Sequence, residues 1–132
     1  MGIEIRGMTP LISVFNMPRA LAFYRDILGF EIVADSGTGN DSSWVWLRLN
    51  GTDLMLNDQY EPGRVPDEPP PERQKWHHDT CLYFGADPDG VYEYLRSNGI
   101  QVDLPKDAPY GMRQLYLNDP DGYNLCFQRP VE

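Results

Sequence analysis

The chain has 132 residues, 41% hydrophobic and 12% aromatic, which is enough apolar material for one packed domain and too much for a disordered chain. Eleven Lys and Arg against twenty Asp and Glu leave a net charge of −9, a poor match to nucleic-acid phosphates or an anionic membrane surface and a better one to neutral or cationic small molecules. No apolar run is long enough to cross a bilayer, the first residues lack the basic-then-apolar plan of a signal peptide, and Cys81 and Cys126 are too few for a disulfide scaffold, so a cytoplasmic setting is expected.

A first strand is expected over residues 8–15. Asn16 then stands as an N-cap, Pro18 sits in the tolerant first turn, and Gly29 suits a left-handed stop, which predicts a helix over 18–28. Leu21, Tyr24, Ile27 and Leu28 recur at helical spacing and form its apolar stripe. Strands follow over 30–34, 43–49 and 53–57, separated by Ser36-Gly37-Thr38-Gly39-Asn40 and by the hairpin signal Asn50-Gly51. Residues 58–75 carry Pro62, Pro66, Pro69, Pro70 and Pro71, an extended connector that cannot supply a central strand.

The plan then repeats. A strand is expected over 80–84, a helix over 89–97, and strands over 101–104, 113–117 and 123–128. Pro88, Tyr94 and Gly99 each stand 70 residues after Pro18, Tyr24 and Gly29. Asp121-Gly122-Tyr123-Asn124-Leu125 follows Asn50-Gly51-Thr52-Asp53-Leu54 at an offset of 71. The shared order and nearly constant offset point to a duplicated β-α-β-β-β module, with module one at 1–57, the linker at 58–75 and module two at 76–132. The fold class is α+β.

Two phrases, Ala20-Leu21-Ala22-Phe23-Tyr24-Arg25-Asp26-Ile27-Leu28-Gly29-Phe30 and Asp119-Pro120-Asp121-Gly122-Tyr123, together with the paired modules, resemble the vicinal oxygen chelate superfamily, which includes glyoxalase I, extradiol dioxygenases, and fosfomycin- and bleomycin-resistance proteins. The resemblance implies half-barrels around a cleft, completed in a homodimer. In the family's enzymes it also implies a divalent metal held by His, Glu and Gln from the first and last strand of each module. Carried onto this chain, those positions fall on Thr9, Met55, Asp79 or Thr80, and Cys126, a set lacking the expected imidazoles and ligating Glu. The expectation is therefore no metal and no other cofactor. His77 and His78 are the only histidines; neighbours on a strand face opposite ways, and His78 shares the face of Thr80, so a register slip of two would make it a ligand. The ordinary reading of such a residue is a solvated or hydrogen-bonded strand-end histidine. Cys126 reads as a small buried hydrophobe with no base beside it, and Cys81 is expected to face away from it, so no disulfide is expected.

What remains is rich in aromatics. Trp44 and Trp46 share one face of a strand, Tyr60 and Trp76 flank the linker, and Tyr110 and Tyr116 lie in and before the seventh strand. With Met55, Asn57, His78, Arg113, Asn124, Gln128 and Cys126 they suit a largely apolar pocket with a few polar groups, even though each is also an ordinary packing residue. The leading function is a non-catalytic binder of a planar aromatic, neutral or cationic ligand, similar to the bleomycin-resistance branch and to antibiotic sequestration, with no catalytic residue assigned. Two alternatives stand beside it: a metal-dependent lyase, isomerase or dioxygenase with an atypical site using His78 or Asp79, and a protein or peptide interaction module. The expected partners are a small molecule and a second copy of the chain, with no nucleic acid and no membrane.

Overall fold

A computed structural model describes residues 1–58, 60 and 64–132; Pro62 of the connector lies outside them. The described chain divides into two units, Met1–Glu68 and Pro69–Glu132. None of its helices is long and apolar enough to cross a membrane.

The first unit runs β1 (Leu11–Val14), α1 (Met17–Tyr24), β2 (Glu31–Asp35), β3 (Trp44–Leu49) and β4 (Thr52–Asp58). Its sheet has the order β1-β4-β3-β2, with β1 parallel to β4 and the other pairs antiparallel. The two-residue alternation of a strand decides which side chains are buried. Ile12, Val14, Val45, Leu47, Leu54 and Leu56 form the buried face with Ala20, Leu21 and Tyr24 of α1, and Tyr24 meets Phe23 and Phe30 edge-on. The hairpin β3–β4 closes through Asn50 at φ 51° and Gly51 at φ 79°, the two left-handed positions a two-residue turn requires, and so pairs Leu49 with Thr52.

Helix α1 starts where the sequence indicates, with the Asn16 Oδ1 accepting from the Arg19 N–H at 2.9 Å. It ends four residues early. From Asp26 onward the bonds widen: Asp26 donates to the Leu21 carbonyl, Leu28 to Phe23 and Phe30 to Tyr24, before Gly29 turns the chain at φ 96°. The expected residues 25–28 are therefore turns rather than α-helix, a closing loop that lets Phe30 return to pack on Tyr24.

The second unit runs α2 (Arg73–Trp76, one turn), β5 (Cys81–Gly85), α3 (Pro88–Ser97), β6 (Lys106–Asp107), β7 (Met112–Asn118) and β8 (Asn124–Pro130), with sheet order β5-β8-β7-β6. Its buried face joins Leu115, Leu125 and Phe127 to Leu95 of α3, and Phe84 stacks on Phe127 at 5.2 Å. The strand expected at 101–104 is absent; pairing starts only at Lys106, opposite Gln114. The turn through Gly111 (φ 87°) aligns 106–107 with 113–114, and Pro105, which has no N–H to donate, stops the ladder there. The short helix α2 was not legible in the proline-rich stretch.

Helix α2 is fastened to the β7–β8 turn. Arg73 and Asp121 are both 1% exposed and joined at 2.5 Å, and the Gln74 side chain donates to the Pro120 carbonyl at 2.6 Å. Asp119, also buried, accepts from the backbone N–H of Asp121 and Tyr123 and so shapes the turn. His77 stacks flat on Tyr123, with centroids 4.1 Å apart. Gly122 sits at φ 91° against the backbone of Gln74, whose Cα lies 2.8 Å from where a Cβ would be. Gly51, at φ 79°, has no atom within 4 Å of that position. Replacing either by Ala incurs the left-handed strain of about 1–2 kcal/mol. Only Gly122→Ala also drives a methyl into backbone, so thermal melts of the two variants should show the larger loss for Gly122→Ala.

A pH dependence follows from the same corner. Burial, followed by the charge of Arg73, holds the His77 pKa below its ordinary value against the opposing pull of Asp121 and Asp79. Its buried Nε2 has no hydrogen-bond partner among the described residues. A histidine depressed in the fold contributes stability that is complete above its unfolded pKa of about 6.5 and lost as pH falls through the folded value. Denaturant midpoints should therefore fall on the acid side of pH 6.5, and His77→Phe, which keeps the stack, should flatten that slope.

Candidate functional site

Each sheet turns one face away from its helix, and those open faces carry most of the residues singled out in the sequence. In the first unit the register sets Trp44 beside Asn57, Trp46 beside Met55, and Leu11 and Ser13 beside Met55 and Asn57 on the other side. Trp44, Trp46 and Met55 are half-buried, whereas Val45 and Leu47 between them are fully buried, so both indoles lie on the open side. The Trp46 Nε1–H donates to Asp53 Oδ2 at 3.1 Å, and Arg48 holds the same carboxylate at 2.7 Å. The Arg48 bond keeps the Asp53 carboxyl below its usual pKa, so the indole is oriented by an acceptor that is ionised at neutral pH. Tyr60 packs edge-on to Phe15 at 5.7 Å.

The open face of the second unit is polar. Gln114, Tyr116 and Asn118 of β7 stand opposite Gln128, Cys126 and Asn124 of β8, and Tyr83 and Cys81 of β5 lie beyond Cys126 and Asn124. The Gln114 Nε2 donates to Gln128 Oε1 at 2.9 Å, and Gln114 Oε1 accepts from the Tyr110 hydroxyl at 3.0 Å. Asn118 donates to Asn124 Oδ1 at 2.9 Å, and Asn124 donates to the His78 carbonyl. The Tyr116 hydroxyl donates to Gln114 Oε1 at 3.5 Å. The neighbouring Tyr83 phenol, followed by burial, pushes the Tyr116 phenol well above its ordinary pKa. Burial is the main cause raising both thiols. A cavity of about 330 Å³ opens beside Tyr116 and Gln114, bounded by Asp103, Leu104, Lys106, Asp107 and Ala108.

Several residues fall elsewhere. Arg113 points to the helix side of β7, locked to Asp89 and Asp107 at 2.9 Å each, and is not part of the open face. Trp76 is exposed at the end of α2, with the Arg73 guanidinium 5.7 Å from its ring centre. His78 lies in the turn before β5, where its Nδ1–H donates to the Lys75 carbonyl at 2.7 Å. Asp79 is exposed in that turn, and Thr80 serves through its backbone, its carbonyl accepting from the Asn124 N–H at 3.0 Å. Thr9 precedes β1 outside the ladder. The expectation that Cys81 faces away from Cys126 is wrong: because Cys81 pairs with Asn124 and Tyr83 with Cys126, both sulfurs lie on one face, and both are free thiols. The error came from assuming a register that only strand pairing fixes. Tyr83 and Gln114 also escaped notice, although both lie in step with singled-out residues, Tyr83 two after Cys81 and Gln114 two before Tyr116.

The divalent metal that the resemblance implies is not matched by these donors. Met55 offers a thioether beside Leu11, Cys126 is 0% exposed among tyrosine and glutamine side chains, and Thr80 is used through its backbone. Among the described residues no three His, Cys, Asp or Glu side chains gather closely enough to hold one ion. A hard divalent ion needs carboxylate or imidazole ligands that these positions do not supply.

Two β-α-β-β-β units with these sheet orders define the vicinal oxygen chelate fold. The model of the Glyoxalase/Bleomycin resistance protein/Dioxygenase superfamily matches residues 8–127, and the chain belongs to that superfamily. Among curated relatives it is 26% identical over 123 residues to the metallothiol transferase FosB of Staphylococcus haemolyticus, covering 92% of this chain and 81% of that protein. Among solved structures it is similar to a glyoxalase/bleomycin resistance protein/dioxygenase from Nocardioides, with TM-score 0.72 and 18% identity over 99% of this chain and 87% of that one. It is also similar to the bleomycin-binding protein of Streptomyces verticillus, solved with copper(II)-bleomycin, with TM-score 0.67 and 20% identity over 99% of both chains. At these identities the structural likenesses speak for the fold.

Proposed function

We propose that this chain binds a planar aromatic small molecule, neutral or cationic, without a metal. The observation that carries the reading is the indole pair: Trp44 and Trp46 lie together on an open sheet face, beside Met55, with Trp46 oriented by the ionised Asp53. Indole faces attract cationic groups by roughly 0.5–2 kcal/mol according to how far the pair is desolvated. A net charge of −9 adds a field that concentrates cations and repels anions. The bleomycin-binding neighbour gives this reading a precedent within the fold, and antibiotic sequestration is the role it suggests. A second reading, a metal-dependent transferase, is favoured by the names of the curated relatives. The donor set at Thr9, Met55, Thr80 and Cys126 weighs against it.

The two readings part in one titration. A bleomycin-type drug or a cationic planar dye, added in the presence of EDTA, should quench tryptophan fluorescence saturably, and salt should weaken the binding. Trp44→Ala and Trp46→Ala should each reduce affinity at least about tenfold, the loss of roughly 1.4 kcal/mol of stacking, while the melting transition is retained. Binding that appears only when manganese or zinc is added would establish the transferase reading instead.

The proposal includes a homodimer. β1 and β5 each end their sheets with an edge that no strand of that sheet pairs, and such edges are commonly covered by a partner. Light scattering at high micromolar concentration should give the mass of two chains; the mass of one would remove the dimer from this reading.

A further inference from the structure

The two thiols of the chain share the open face of the second sheet. Cys81 stands opposite Asn124 and Cys126 opposite Tyr83, so the thiols are diagonal neighbours on adjacent parallel strands. Strands about 4.8 Å apart and a two-residue step of about 6.6 Å put such Cα atoms about 8 Å from each other. That exceeds the roughly 7 Å limit for a disulfide without backbone movement. An atom between the sulfurs relaxes the constraint, because two metal–sulfur bonds of about 2.3 Å span about 4.6 Å.

We propose that Cys81 and Cys126 form a two-coordinate site for a soft monovalent cation of the copper(I) class. The surroundings select for softness: the neighbouring donors on this face are the hydroxyls of Tyr83 and Tyr116 and the amides of Gln114, Gln128 and Asn124, with no carboxylate or imidazole side chain in the register beside the thiols. A hard ion finds only neutral hydroxyls and amides there, which hold it weakly, whereas one that accepts two thiolates is satisfied. Loading forms two copper–sulfur bonds, breaks two S–H bonds and releases two protons, with no change in oxidation state. The bound unit carries one negative charge. Tyr83 of β5 and Tyr116 of β7 both stand opposite Cys126, so their hydroxyls lie on the thiols' face and can turn their protons to the thiolate sulfurs. Lys106, opposite Gln114 on the same face, lines the cavity that Tyr116 bounds and supplies a cation nearby. Burial raises both thiols, so protons compete with the ion and loading weakens as the pH falls. This site is independent of the aromatic ligand proposed above.

The test is an anaerobic titration of the reduced full-length protein with copper(I), in EDTA and against a chromophoric copper(I) chelator, with proton release followed in weak buffer. One equivalent bound, two protons released, and affinity reduced more than about 100-fold in both Cys81→Ser and Cys126→Ser would support the site, since that loss exceeds what an outer hydrogen bond contributes. Cys81 is only partly buried, so Cys81→Ser decides the matter alone if the fully buried Cys126 does not tolerate substitution. No competition with the chelator would overturn the proposal, as would full retention of copper(I) by Cys81→Ser or, with EDTA omitted, displacement of copper(I) by an equal concentration of zinc.

Discussion

The geometry of the second unit depends on the buried pair of Arg73 and Asp121. Both side chains are withdrawn from water, and each would be intolerable there without the other. A buried ion pair adds little net stability over a hydrophobic one, but removing one partner strands a charge at a cost of about 3–5 kcal/mol. Its effect is therefore to specify an arrangement. It locks the end of the proline-rich connector onto the β7–β8 turn, where Gly122 must lack a side chain for the Gln74 backbone to fit. From that anchored point the chain has only a few residues before β5. His77 lies on Tyr123, Asn124 holds the His78 carbonyl, and the Thr80 carbonyl takes the Asn124 N–H. The register of β5 on β8 follows, and with it the placement of Cys81 and Tyr83 beside Cys126.

The two halves show how a duplicated plan diverges through its turns. In the first, Asn50-Gly51 closes β3 and β4 with the shortest possible loop and leaves the open face to tryptophan, methionine and leucine. In the second, the corresponding loop runs from Asp119 to Tyr123, and its carboxylates are buried in the service of the turn and of Arg73. A longer, internally bonded turn gives the connector something to dock on; a two-residue turn does not. The open face that results is a network of amides, phenols and thiols rather than an apolar platform.

That contrast bears on what the superfamily's shared architecture does here. The fold offers positions on the first and last strand of each module where other members are expected to place metal ligands, but a position is only as useful as its donor atom. Met55 and Cys126 are soft donors, Thr9 and Thr80 weak ones. The chemistry available is stacking and cation attraction on the first face, and hydrogen bonding and sulfur ligation on the second.

The paired modules, both helix starts, the hairpin at Asn50-Gly51 and the common face of Trp44 and Trp46 were legible in the sequence, because each rests on a local rule of period, capping or turn geometry. The strand misplaced at 101–104 and the helix extended to 28 show the limit of such rules: an apolar pattern does not reveal where a proline or a widened turn ends the hydrogen-bond ladder. The shared face of Cys81 and Cys126, the part of Tyr83 and Gln114 in the open face, and the withdrawal of Arg113 into ion pairs with Asp89 and Asp107 were decided only in the folded chain. Parallel pairing between strands more than forty residues apart has no local signature. Its register is set by what the intervening segments are anchored to, and here that anchor is a buried ion pair whose two members lie 48 positions apart.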